Sequence, residues 1–189
     1  NWKMGKKISI DSATMMNKVF EIVEAKKIFN LSYKKLSILI HPKSYVHAII
    51  KFKNGLTKIV AHDTNMKIPI FNSLYDEKFK SIKTKPVNIK ILNNLNFKNV
   101  DSKKFSFVKI LAKMPKNSSL FETILITVND YFVHNFLKKD INFEKMIFLI
   151  NKFVNFKKFQ KYKKIKPKNV KDIYRLRDYV SSKLDSLGI

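Results

Sequence analysis

Between Asp11 and Glu24 the sequence gathers a hydroxyl, an amide, an ammonium and carboxylates in the run Asp11-Ser12-Ala13-Thr14-Met15-Met16-Asn17-Lys18, followed by Glu21 and Glu24. On a helix Asn17, Glu21 and Glu24 share one face, and Lys18 stands one turn before Glu21. Ser, Asn and Lys can hold phosphate or hydroxyl oxygens, and a glutamate can hold a hard divalent cation. The set therefore suits a phosphorylated polyol bound beside a metal. The same spacing also describes a solvated helix face with a Lys/Glu pair and an N-cap serine, and spacing by itself leaves both open.

The elements that position these residues follow from patterning. Ile8 and Ile10 end Met4 to Ile10 in an apolar alternation, which predicts a short strand. Asp11 and Ser12 then read as N-cap residues of a helix from Ala13 to Phe29, with Met15, Met16, Val19, Phe20, Val23 and Ile28 at helical spacing. Leu36 to Ile40 and Val46 to Phe52 read as strands around a His41-Pro42-Lys43-Ser44 corner. Asn54-Gly55 predicts a hairpin turn into Leu56 to Ala61, because both residues tolerate positive φ. From Met66 to Val100 the pattern is irregular, broken by Pro69 and Pro86. Helical patterns resume over Phe105 to Met114, Ser119 to Leu137, Phe143 to Phe153 and Val170 to Leu187. Ser119 and Glu122 have capping-box spacing, and Asn142 is an N-cap candidate. The expectation is an α+β chain: a small β-sheet with helices over 1–75, a linker over 76–101, and a C-terminal α-helical bundle over 102–189.

Composition narrows the function classes. The chain has 189 residues, no cysteine, 45% hydrophobic residues and a formal net charge of +25. So much apolar content excludes a disordered basic tail, and the lack of cysteine excludes disulfides and thiolate metal sites. No apolar run approaches the roughly 18 residues of a membrane span, so no membrane partner is expected. The start, Asn1-Trp2-Lys3, lacks an initiator Met and a signal-peptide core, and is read as following an upstream N-terminus. The charge invites a nucleic-acid-binding module. Against it, 37 of the 39 basic side chains are lysine and only Arg175 and Arg177 carry the guanidinium fork favoured for bases and phosphates. Phe156 to Lys171 holds eight lysines and no acid, interleaved with Phe156, Phe159 and Tyr162. It reads as a solvated connector pinned by its aromatics, and alternatively as a platform for a single nucleic-acid strand.

The string from Trp2 to Lys18, with Glu21 and Glu24-Ala25 after it, resembles the 1-deoxy-D-xylulose 5-phosphate reductoisomerase family. Ile40-His41-Pro42 with Ser44 and His47 resembles the family's His-Pro-Gln-Ser segment, and Met66 with Pro69-Ile70 its Asp-Met-Arg-Thr-Pro-Ile segment. The resemblance is long and specific over residues 1–70 and thinner beyond, where Lys85-Pro86 and Leu95-Asn96-Phe97 keep the family's spacing.

The resemblance implies an enzyme of about twice this length. An NADPH-binding domain and part of a catalytic domain would precede the chain, and residues 1–75 would be the C-terminal part of that catalytic domain. The implied reaction is the metal-dependent rearrangement of 1-deoxy-D-xylulose 5-phosphate and its reduction by NADPH to 2-C-methyl-D-erythritol 4-phosphate, in non-mevalonate isoprenoid biosynthesis. By position, Ser12, Asn17 and Lys18 would bind the substrate and its phosphate, and Glu21 would be a carboxylate on Mn²⁺ or Mg²⁺, with Lys18 and Glu21 as the catalytic pair. Trp2 and His47 would face the substrate, Trp2 and Met4 would belong to a closing loop, and Met4 and Gly5 would contact NADPH. The family further implies a homodimer, no nucleic acid, and a cytoplasmic location, or an organelle stroma in a plastid-bearing source. The fragment is not expected to be active by itself.

The chain departs from the family pattern at Val19 (family Gly), Lys67 (Arg) and Thr64-Asn65 (Pro-Asp), and it reduces an Asn-Ala-Ala-Asn-Glu motif to Ile-Thr-Val-Asn129-Asp130. None of these removes an implied metal or phosphate ligand. They leave, as the rival to an enzyme, a non-catalytic degenerate relative that keeps the fold.

Overall fold

Apolar residues spaced three and four apart do form helices in the second half of the chain, and the short alternating runs before them do pair as strands. The computed structural model describes residues 5–76 and 80–188. In chain order the elements are α1 (Lys6–Ala13), α2 (Met16–Ile28), β1 (Leu39–Ile40), β2 (Val46–Lys51), β3 (Thr57–Ala61), α3 (Lys67–Leu74), α4 (Ile89–Asn93), β4 (Lys98–Asn99), a 3₁₀ helix (Ser106–Lys113), α5 (Phe121–Lys138), α6 (Phe143–Val154), α7 (Lys157–Gln160) and α8 (Val170–Asp185). The architecture is α+β, as expected.

Two compact units divide the described residues: 39–100 form one, and 5–38 with 101–188 form the other. In the first, β2 and β3 pair antiparallel, with Ile49 opposite Ile59 and an irregularity between Val46 and Ala48. Gly55 turns the hairpin at φ +88°, the left-handed region that glycine occupies without a Cβ penalty. Phe52 and Leu56 close the turn by a 2.8 Å backbone hydrogen bond. β1 pairs with β4, Leu39 opposite Asn99. The stretch 76–101, expected as a linker, thus carries α4 and a strand of this unit.

The second unit holds the hydrophobic core. Met16, Val19 and Val23 of α2 join Phe107 and Ile110 of the 3₁₀ helix, Ile124, Val128 and Phe132 of α5, Met146, Ile150 and Phe153 of α6, and Leu176, Val180 and Leu184 of α8. The expected caps are present. The Ser119 N–H and hydroxyl donate to Glu122 Oε2 at 3.1 and 2.7 Å, and Asn142 Oδ1 accepts the Lys145 N–H at 2.8 Å. The lysine-rich connector turns its aromatics inward: Phe159 is fully buried and Phe156 packs edge-on against it. The burial of Phe159 and the packing of Phe156 fit a connector pinned by its aromatics.

Three expectations need correcting. The strand expected over Met4 to Ile10 does not form in its described residues, because Lys6–Ala13 is helical with Asp11, rather than Ile8 or Ile10, as its buried residue; Met4 lies outside the described residues. Asp11 and Ser12 are consequently inside α1 and do not cap the next helix, which starts at Met16 after Met15 adopts a left-handed φ of 62°. Phe105 to Met114 forms a 3₁₀ rather than an α-helix.

Tyr33, just beyond α2, gives the unit a pH dependence. Its hydroxyl is buried and finds no partner among the described residues. Burial first, and the Glu122 carboxylate second, push its pKa from 10.0 up to about 12. A neutral phenol favoured by folding stabilises fully below the unfolded value, and that contribution is lost as the pH rises from 10 towards 12. Discounted for partial exposure, the loss should be about 1 kcal/mol. Denaturant titrations at pH 9 and above 11 should show Tyr33→Phe losing that much less than the wild-type protein; equal losses would show that Tyr33 titrates as in solvent.

Candidate functional site

Four of the residues singled out by the sequence, Ser12, Asn17, Lys18 and Glu21, lie on either side of the corner where α1 turns into α2. Thr14 ends α1, its hydroxyl donating to the Ile10 and Asp11 carbonyls at 3.0 and 3.2 Å. The Met15 N–H donates to the Ser12 carbonyl at 3.2 Å, and Met15 in turn accepts the Val19 N–H at 3.2 Å. A non-glycine residue in the left-handed region costs about 1–2 kcal/mol. Burial of Thr14 and Met16 on either side holds it there.

This kink sets Ser12 at the end of one helix and Asn17, Lys18 and Glu21 on the first turns of the next. Lys18 Nζ contacts both Glu21 oxygens, at 2.9 and 2.8 Å, in an exposed pair. Asn17 is half-buried, and its Oδ1 is buried without a donor among the described residues. Glu24 follows on the same face, exposed to solvent. Gly5 precedes α1 at φ −58°, which any residue adopts, and a Cβ there would meet nothing within 4 Å. Neither strain nor packing therefore requires glycine at this position.

Behind the corner lies a polar network that the spacing of the chemical residues did not reveal. Asp11 is 3% exposed. Its Oδ2 accepts from Lys7 Nζ at 2.7 Å and its Oδ1 from Asn129 Nδ2 of α5 at 2.8 Å. Lys7 also pairs with Asp130 at 2.9 Å and lies 5.8 Å from the centre of the Phe20 ring on α2. Burial alone would lower the Lys7 pKa; its hydrogen bonds to Asp11 and Asp130 outweigh that and raise it above the ordinary lysine value. In the sequence the Asn129-Asp130 pair reads only as a reduced family motif.

His47 lies in the other unit, on β2. Its ring stacks on His62 at 3.7 Å, and its Nε2 hydrogen-bonds to the His62 carbonyl at 3.1 Å. His41, at the Pro42 corner, tilts against Phe97 with ring centres 5.2 Å apart. Trp2 and Met4 lie outside the described residues. Among the described residues no three His, Asp or Glu side chains group as a metal site. Nor is any helix long and apolar enough to cross a membrane.

Chemically, the corner offers an ammonium, an amide, a hydroxyl and a carboxylate, groups whose chemistry can hold phosphate or hydroxyl oxygens and a hard cation.

Comparison with known proteins shows the family. The DXP reductoisomerase C-terminal domain matches residues 62–181, and a 1-deoxy-D-xylulose 5-phosphate reductoisomerase C-terminal domain matches residues 1–29. The 1-deoxy-D-xylulose 5-phosphate reductoisomerase of Pelagibacter ubique (strain HTCC1062) is 56% identical over 189 residues, all of this chain and 49% of the relative. That of Chloroherpeton thalassium is 38% identical over 152 residues, 80% of this chain and 39% of the relative. The enzyme from Zymomonas mobilis in complex with NADPH superposes with a TM-score of 0.83 at 25% identity, covering 96% of this chain and 47% of that one. A reductoisomerase in complex with NADPH, fosmidomycin and magnesium gives 0.85 at 28% identity, covering 98% and 47%. The chain spans about half the length of the curated relatives it matches. With its whole length aligned at that identity, its fold superposed and its helix corner built from the quoted motif, the chain belongs to the 1-deoxy-D-xylulose 5-phosphate reductoisomerase family.

Proposed function

We propose that this chain supplies the C-terminal half of an NADPH- and divalent-metal-dependent enzyme that isomerises 1-deoxy-D-xylulose 5-phosphate and reduces it to 2-C-methyl-D-erythritol 4-phosphate. The observation that carries the proposal is the α1–α2 corner, where Ser12 near the end of α1 and Asn17, Lys18 and Glu21 on the first turns of α2 flank the Met15 kink, with Lys18 in contact with Glu21. Relatives of this family have been solved with NADPH and with magnesium, which supports those cofactors here.

Glu21 fits a metal ligand: it is an exposed carboxylate whose hydrogen-bonding partner is the solvent-exposed ammonium of Lys18. The chain offers it as one hard oxygen ligand, and the remaining carboxylates would come from the N-terminal half. When bound, Mn²⁺ or Mg²⁺ would polarise the ketone and hydroxyl oxygens of the substrate. Lys18 would exchange its Glu21 partner for a substrate oxygen, an exchange permitted because an exposed ion pair is worth at most about 1 kcal/mol. Ser12 would donate to the phosphate. Asn17 would donate to a substrate oxygen through Nδ2. Gly5, with open space where a Cβ would stand, suits close approach of the nicotinamide cofactor. Trp2 and His47 enter as further substrate contacts on the family resemblance alone.

The reading includes a homodimer. The β2–β3 hairpin leaves Ile49, Ile50, Ile59 and Leu56 exposed, an apolar surface suited to a second copy.

The test is NADPH consumption by the full-length protein supplied with 1-deoxy-D-xylulose 5-phosphate. Turnover that needs Mg²⁺ or Mn²⁺ and stops on chelation is expected. A folded full-length protein that consumes no NADPH under these conditions would be the degenerate relative instead.

A further inference from the structure

We infer that Asp11, Lys7 and Asn129 are positioning residues: a polar network, buried at Asp11 and Asn129 and open to solvent at Lys7, through which the helical bundle holds the α1–α2 corner in its ligand-binding shape. The inference rests on the proposed role of that corner and reaches side chains which that role does not use.

Its basis is the cost of what the network buries. A carboxylate 3% exposed and an asparagine with no exposure are expensive inside an otherwise apolar core, and hydrophobic residues of the same size would pack there more cheaply. Asp11 accepts from two donors that come from different directions, Lys7 on its own helix and Asn129 across the bundle, 118 positions away. Lys7 in turn reaches Asp130 on α5 and the face of Phe20 on α2. Three helices are thereby fixed to one carboxylate, which directly precedes Ser12. Phe20 directly precedes Glu21. Apolar contacts slide, whereas directed, charge-assisted hydrogen bonds fix register. The strained Met15 between the two helices needs such an anchor, since a free corner would relax out of the left-handed conformation.

The experiment uses the full-length protein and four variants: Asp11→Asn, Asn129→Leu, the exchange Asp11→Asn with Asn129→Asp, and Val128→Ala as a buried control outside the network. Amide hydrogen exchange of residues 11–18 is measured relative to α6, alongside kcat and KM for the sugar phosphate. Each single network variant should lower the relative protection about tenfold and kcat/KM about thirtyfold, mostly through KM, the scale expected when a buried partner is left unsatisfied. The exchange variant keeps one amide facing one carboxylate and should recover most of both losses. Val128→Ala should destabilise the fold while leaving the relative protection and KM unchanged. Unchanged protection in the single variants overturns the proposal, as does an exchange variant no better than either of them. If protection follows the predicted pattern but the wild-type protein turns over no sugar phosphate, the network stands and the proposed function falls.

Discussion

Glu21→Gln in the full-length protein should lower metal-dependent turnover by at least about a hundredfold, the scale of losing an interaction that stabilises transition-state charge. Glu24→Gln should cost little. The two glutamates share a face of α2 and are both exposed, so neither exposure nor helix propensity separates them. Position does. Glu21 is one turn from Lys18 and in contact with it, whereas Glu24 lies a turn further from the Met15 kink and from Ser12. Glutamine keeps the volume and one carbonyl oxygen of Glu21 but loses the negative charge that offsets a divalent cation. Affinity for the metal should fall with turnover, and excess Mn²⁺ should restore part of both. Steady-state kinetics across a metal titration check this. Near-normal turnover in Glu21→Gln with loss in Glu24→Gln would mean that the other end of this face carries the ligand.

The second large effect is on stability. Phe132→Ala should destabilise the helical unit by about 3–5 kcal/mol, the range for emptying a fully buried aromatic site. Phe132 has no exposed surface, stacks against Phe153 with ring centres 5.5 Å apart, and receives the edge of Tyr131 at 5.2 Å. The same core buries Met16 and Val19 of α2, so its loss would loosen the helix that bears Asn17 and Lys18. Phe148→Ala removes the same side chain from a position 62% exposed and should cost less than about 0.5 kcal/mol. Chemical denaturation of both variants measures the contrast; similar losses would mean that Phe132 is not at the centre of the packing.

The face of α2 was legible because helical period alone aligns Asn17, Glu21 and Glu24, and the bundle because its apolar spacing and its caps at Ser119 and Asn142 agree. What the sequence concealed lies in long-range pairing. Ile8 and Ile10 alternate like a strand, yet Lys6–Ala13 is helical and its buried residue, Asp11, is bonded to Asn129 118 positions away, a pairing that no local pattern shows. The break at Met15 carries no signature either, since left-handed corners usually announce themselves with Gly or Asn. β4 is two residues long and exists through its pairing with β1, so its own residues could not predict it. The candidate residues on α1 and α2 were thus readable as a set of side chains, but the Met15 kink between them and the Asp11–Asn129 bond behind them were not.

The central claim, that this corner belongs to an enzyme which rearranges a sugar phosphate and then reduces it, is tested most directly by following hydride. The full-length protein would be given 1-deoxy-D-xylulose 5-phosphate, Mg²⁺ and NADPH deuterated at the transferred position, and the product examined by mass spectrometry and NMR. The account predicts 2-C-methyl-D-erythritol 4-phosphate carrying the deuterium on the carbon that had been the aldehyde. A rearranged product without deuterium, or unchanged substrate beside intact NADPH, would contradict it.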